Sequence, residues 1–139
     1  MMTRRMLFAL PALVLGAACF DARAEDENPV VTAVKLKVKD KTKPFAMGVM
    51  FKVKAGSEKE FEDAFAPCAK ATKKEPGCLT YHFNRDLDEV GTYVVYEQFK
   101  NIAALEDHAK SKHVKELLPK IGPLLDGDPK LKVFAILGE

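Results

Sequence analysis

The side chains of this sequence whose types and spacing bear on chemistry are three histidines, one carboxylate on an apolar strand face and two cysteines. His108 and His113 lie five residues apart with Ser111 between them. On one continuous helix that spacing turns them about 140° from each other. Such a geometry is wrong for a shared ion, so no metal site is expected. Each otherwise reads as a hydrogen-bonded residue at a helix end. His82 alternates with Tyr81 along a strand-like segment and should face solvent. Glu97 is more informative, because a period of two places it on the same face as Tyr93, Val95 and Phe99. A carboxylate there must find a partner or take up a proton, since an unpaired buried charge is costly. The expected partner is His108, reaching down from the following helix. Such a pair is either structural or a proton acceptor with a shifted pKa.

Cys68 and Cys78 lack the C-x-x-C spacing of redox and zinc motifs. They either stay as small buried thiols or, in an oxidising compartment, pair as a disulfide tying a helix to a strand. No G-x-S-x-G, P-loop, H-E-x-x-H or G-x-G-x-x-G run is present. The common hydrolase, nucleotide and zinc signatures are therefore missing, and no cofactor is expected.

The compartment is read from the first 24 residues. Arg4 and Arg5 precede an apolar run from Met6 to Ala18, which ends near Ala22-Arg23-Ala24 and is followed by Glu25-Asp26-Glu27. A positive start, a short apolar core and an A-x-A site make a cleavable signal peptide. Thirteen apolar-run residues, interrupted by Pro11 and Gly16, fall short of the roughly 20 that a spanning helix needs. Thr3 to Phe8 resembles a twin-arginine signal, so both export routes stay open. The Leu15–Cys19 spacing does not suit a lipoprotein site. The expectation is a periplasmic or secreted protein without a stable membrane anchor.

The 139-residue chain carries 22 Lys+Arg against 20 Asp+Glu, a formal charge of +2. Residues 1–24 hold Arg4, Arg5 and Arg23 against Asp21, so residues 25–139 balance at 19 basic and 19 acidic side chains. The basicity belongs to the export signal. Beyond it the cations are lysines apart from Arg85, without the arginine forks and exposed aromatics of nucleic-acid binders. At 47% apolar and 30% charged the composition is that of one globular domain.

These residues need elements to position them. Val34, Leu36 and Val38 alternate with Lys35, Lys37 and Lys39, predicting an extra half-exposed edge strand in an N-terminal extension over 25–44. Phe45 to Lys54 reads as a more central strand. Gly56-Ser57-Glu58-Lys59-Glu60 contains a capping box, and Phe61, Phe65, Cys68 and Thr72 then form a helical stripe that Pro67 should bend or weaken. Cys78 to Asn84 and Thr92 to Phe99 read as a hairpin. Asn101 and Ser111 cap two helices, the first with Ile102, Leu105 and Ala109 inward, the second with Val114, Leu117, Leu118 and Ile121. Leu131 to Leu137 reads as a last strand. The order from Phe45 on is β-α-β-β-α-α-β, an α+β, ferredoxin-like split βαβ arrangement whose antiparallel sheet has helices on one face. The open face needs cover, and a second copy packing sheet against sheet supplies it, so a homodimer is expected.

Glu75-Pro76-Gly77-Cys78-Leu79-x-Tyr81, then Tyr96-Glu97-x-Phe99, then Ala103-Ala104-Leu105-x-x-His108 and Ser111-x-His113 together resemble the antibiotic biosynthesis monooxygenase (ABM) family, over residues 45–137. The resemblance implies a dimeric α+β barrel with a pocket between sheet and helices in each protomer. It also implies oxidation of a quinol, phenol or similar electron-rich aromatic by O₂ without metal or flavin. On this sequence it makes His108 the base, Glu97 its orienter and Tyr81 a donor to a substrate oxygen. Phe99, His113 and Tyr93 would line the pocket. Many members carry Trp where Phe99 stands, and the lack of Trp speaks against haem-degrading relatives. A non-catalytic binder of small apolar ligands is the alternative, and the fold alone does not decide between them.

Overall fold

A computed structural model describes residues 28–138; the expected signal peptide and Cys19 lie outside them. The elements are α1 (Pro29–Lys37), β1 (Phe45–Lys52), α2 (Glu58–Thr72), β2 (Cys78–Arg85), β3 (Thr92–Phe99), α3 (Ile102–Lys110), α4 (Lys112–Ile121), a 3₁₀ turn (Gly122–Leu124) and β4 (Lys130–Phe134). The four strands form one antiparallel sheet in the order β2-β3-β1-β4. This is the ferredoxin-like order that the β-α-β-β-α-α-β succession predicts, with β1 and β3 central.

Alternation sets the two faces. Met47, Val49 and Phe51 of β1, Tyr81 of β2, and Tyr93, Val95, Glu97 and Phe99 of β3 are buried beneath the helices. Phe61, Phe65, Cys68 and Thr72 of α2 supply the opposing stripe. At one end of this core Phe51, Phe61, Phe65, Phe83 and Tyr93 stack and tilt with ring centroids 4.5–6.0 Å apart. Such pairings add roughly 0.5–1.5 kcal/mol each beyond the burial itself. Ser57 occupies the N-cap of α2 but its side chain makes no capping bond, so the predicted capping box does not form; the Phe61 amide bonds the Ser57 carbonyl instead. Pro67 leaves α2 a single helix. Asn101 caps α3 through Ala104 N at 2.9 Å, and Ser111 caps α4 through Val114 N at 3.4 Å, as the sequence predicts.

The extra edge strand is a helix. Asn28 accepts a hydrogen bond from Val30 N, Pro29 takes the first helical position, and the chain runs helically to Lys37. Val31 and Val34 are buried while Leu36 is 85% exposed. The buried pair is spaced i, i+3, the period of a helix and not that of a strand. α1 packs beside α3 and β4 and is tied to α3 by the Lys35–Glu106 ion pair, while the connection after it is held by Ile102 N donating to Lys41 O at 3.1 Å. The sheet edges are accordingly β2 and β4.

Candidate active site

The site is assembled from three connections. The chain leaves α2 through Glu75 N bonding Thr72 O at 3.0 Å and enters β2 through Cys78 N bonding Glu75 O at 3.1 Å. This turn lies against α3 because residue 77 is glycine: a Cβ there would overlap the Ala104 methyl. The Lys100 amide clamps it by donating to Gly77 O at 3.0 Å. Glu75 is thereby held beside the end of α3 and the start of α4.

The helical path is broken at Ser111, whose backbone is extended (φ −62°, ψ 151°). With the continuous helix gone, the 140° separation does not apply, and the imidazoles of His108 and His113 sit 6.0 Å apart, centroid to centroid. Both converge on one carboxylate. His108 Nδ1 lies 2.9 Å and 3.1 Å from the two oxygens of Glu75, and His113 Nε2 lies 2.5 Å from Glu75 Oε1. All three are largely enclosed, with side-chain exposures of 17% for Glu75, 10% for His108 and 24% for His113. Their ligating atoms fall within 4.8 Å of one another, close enough for a common ion. The helix break at Ser111 thus gives His108 and His113 the convergence that a continuous helix would deny them, and the expected bar to a shared metal is absent.

The interior side of His108 is apolar. The Phe99 ring stands 5.2 Å and the Tyr81 ring 6.2 Å from it, and Tyr81 pairs with Glu97 across the β2–β3 ladder. The four predicted residues Tyr81, Glu97, Phe99 and His108 are thus brought together, and His113 joins them at the outer edge. Tyr93 is not. It stands four residues from Glu97 on β3, roughly 13 Å along a strand, in the aromatic cluster, with its hydroxyl donating to Glu62 at 2.7 Å.

The expected Glu97–His108 pair is replaced by Glu75–His108. Glu97 is buried and its Oε2 has no hydrogen-bond partner among the described residues. Burial pushes its carboxyl up to about 7, with His108 opposing the rise and the Glu75 charge adding to it. Glu75 moves the other way: burial alone would raise it, but the bonds and charge of His108 and His113 hold it below the usual carboxylate range. Burial, followed by the charge of Glu97, pushes the Tyr81 phenol above its usual range, so Tyr81 stays a donor. Cys68 and Cys78 are free thiols, both pushed by burial up to about 11. Glu75 was not among the expected catalytic residues; its one sequence signal was its place in the Glu75-Pro76-Gly77-Cys78 run.

A family model for antibiotic biosynthesis monooxygenases matches residues 44–120, more than half of the chain. The chain belongs to this ABM family. A Caulobacter crescentus protein provisionally named an antibiotic biosynthesis monooxygenase is 28% identical, with a TM-score of 0.67 over 70% of this chain and 93% of its own. Rv0793 from Mycobacterium tuberculosis is 25% identical, with a TM-score of 0.64 over 69% and 97%. An uncharacterised Synechocystis protein shares 28% identity over 71% of this chain and 67% of its own length. The ABM match spans every residue of the Glu75–His108–His113 cluster and the strands beneath it.

Proposed function

We propose that this ABM protein is a cofactor-independent monooxygenase that uses O₂ to oxidise a quinol, phenol or similar electron-rich aromatic. The observation carrying the reading is the Glu75–His108 hydrogen bond against the Tyr81 and Phe99 rings. An ionised Glu75 fixes the proton of His108 on Nδ1, which leaves Nε2 as the acceptor. Nε2 makes no hydrogen bond to any described residue, and on this reading it is the atom that accepts from the substrate.

On this reading His108 Nε2 takes the phenolic proton, and the phenolate passes one electron to O₂. The radical pair then joins at a hydrogen-bearing ring carbon, beside the oxygen in a quinol and beside or opposite it in a phenol. The peroxide anion recovers a proton from His108 or Glu97. Loss of the C–H proton from the same carbon with O–O cleavage leaves a carbonyl, and the expelled oxygen departs as water. A phenol is oxidised to a quinone and a quinol to a hydroxyquinone, and O₂ is reduced, one atom entering the product and one entering water. The chain supplies a fixed base, a donor in Tyr81 and an apolar wall in Phe99. Oxygen uptake with reduced naphthoquinones by metal-free protein tests this. His108→Ala should slow it about 10²-fold or more, and an equally active variant removes the base role.

Two further features complete the proposal. The protein acts outside the cytoplasm, a reading supported by the Arg4-Arg5 start and the Ala22-x-Ala24 site; mass spectrometry of the exported form should find Glu25 first. It also works as a homodimer, supported by the uncovered sheet face, where Met50, Tyr96 and Phe134 border a groove of about 700 Å³.

A further inference from the structure

We propose that Glu75, His108 and His113 form a binding site for a divalent transition-metal ion of the zinc class, and that the ion switches His108 off as a base. Two imidazoles and a carboxylate are the donor set such ions prefer. They come from three separate segments, the α2–β2 turn, the end of α3 and the start of α4, yet their ligating atoms lie within 4.8 Å of one another. A tetrahedral site with ligand bonds of about 2.0–2.1 Å needs donor atoms roughly 3.3 Å apart. Small rotations of three side chains therefore suffice, with no movement of backbone. Partial exposure of Glu75 and His113 gives an ion its entry.

The switch follows from which nitrogen is used. His108 faces Glu75 through Nδ1, so an ion seated between the three donors ligates Nδ1 and displaces its proton. The neutral ring then carries its proton on Nε2. The nitrogen that accepts in the metal-free protein becomes a donor, and His113, which also loses its bond to Glu75, is held in the same coordination sphere. Metal binding stands apart from the oxygenase reading; only the effect on turnover rests on it.

The test is titration of tag-free, chelator-stripped protein with ZnCl₂ by calorimetry, with oxygen uptake followed in parallel. One ion per chain is expected at micromolar or tighter affinity. Binding should weaken by at least about tenfold in Glu75→Gln and in the more exposed His113→Gln, since losing a ligand costs no less than losing an outer-sphere partner. His82→Ala, on the open sheet face, should bind as the wild type does. Long-range ¹H–¹⁵N correlation spectra should show the His108 proton moving from Nδ1 to Nε2 as zinc is added. Absence of binding below about 100 µM, or binding insensitive to both Glu75→Gln and His113→Gln, overturns the site. Zinc that binds with the His108 proton still on Nδ1, or that leaves turnover unchanged at full occupancy, overturns the switch. Protein that binds zinc as described yet never consumes oxygen keeps the site and removes the oxygenase reading.

Discussion

Glu75 and Glu97 are the same residue type within one site, driven in opposite directions by what surrounds them. Glu97 has burial and no partner for Oε2, and its carboxyl rises from 4.5 to about 7. A raised carboxyl pKa means that the unfolded chain ionises first as pH increases. Folding therefore carries a penalty that is absent below about pH 4.5, grows to about pH 7 and is constant above, reaching roughly 3 kcal/mol at most. Glu97→Gln has no proton to lose. Its stability relative to wild type should improve between pH 5 and pH 8 in chemical denaturation, and parallel pH profiles would refute the assignment. Glu75 has the reverse sign, because its pKa is lowered in the folded state. Its contribution is present above about pH 4.5 and is lost as pH falls through the lower folded value. Glu75→Gln should thus destabilise at pH 7 and matter less in acid. Period two made Glu97 visible in the sequence, and the helix-end position did the same for His108. Glu75 was hidden because it lies on an irregular turn 33 residues from His108, where no periodicity reports a contact.

Three local devices at the element scale decide whether these side chains meet. The break at Ser111 turns two divergent histidines into convergent ones. The sequence showed Ser111 as a cap, but not that the preceding helix would end in extended backbone at that same residue. The second device is Gly77, where absence of a side chain lets the α2–β2 turn lie on Ala104. Gly77→Ala should push the turn off α3, lengthen the Glu75–His108 contact and lower activity together with stability. Overpacking of this kind costs about 1–3 kcal/mol, which thermal denaturation would read. An unchanged Tm with unchanged oxygen uptake would show that the turn has slack. The third is α1, where the six residues of lysine–hydrophobe alternation from Val34 to Lys39 were too short to separate a period of 2 from one of 3.6. Asn28 and Pro29 were the better signal, since they start a helix whose Val31 and Val34 reach the core one turn apart. Capping chemistry outweighed alternation.

At the scale of the whole molecule the order of elements carried the fold, because a β-α-β-β-α-α-β chain with short connections has few ways to build one antiparallel sheet. What that order leaves open is the second face of the sheet. Met50 is 36% and Phe134 44% exposed there, flanked by the half-buried Val94 and Tyr96, while Lys130 and Lys132 border the same groove. Gly48, paired with Lys132 in the β1–β4 ladder, has no side chain, and a Cβ at that position would stand 3.6 Å from the Phe134 ring. The face is thus shallow and apolar at its centre with cations at its rim, the pattern of a surface that excludes water on assembly. The balanced charge of residues 25–139, 19 basic against 19 acidic side chains, offers no long-range repulsion between two copies. Light scattering at micromolar concentration should therefore give twice the chain mass. Met50→Arg places an unpaired charge in the centre of that face without entering the core, and should yield folded monomers with an unchanged circular dichroism spectrum. A wild type that is already monomeric would mean that the face is wetted rather than paired. The groove would then have to be explained by a ligand instead of a second copy.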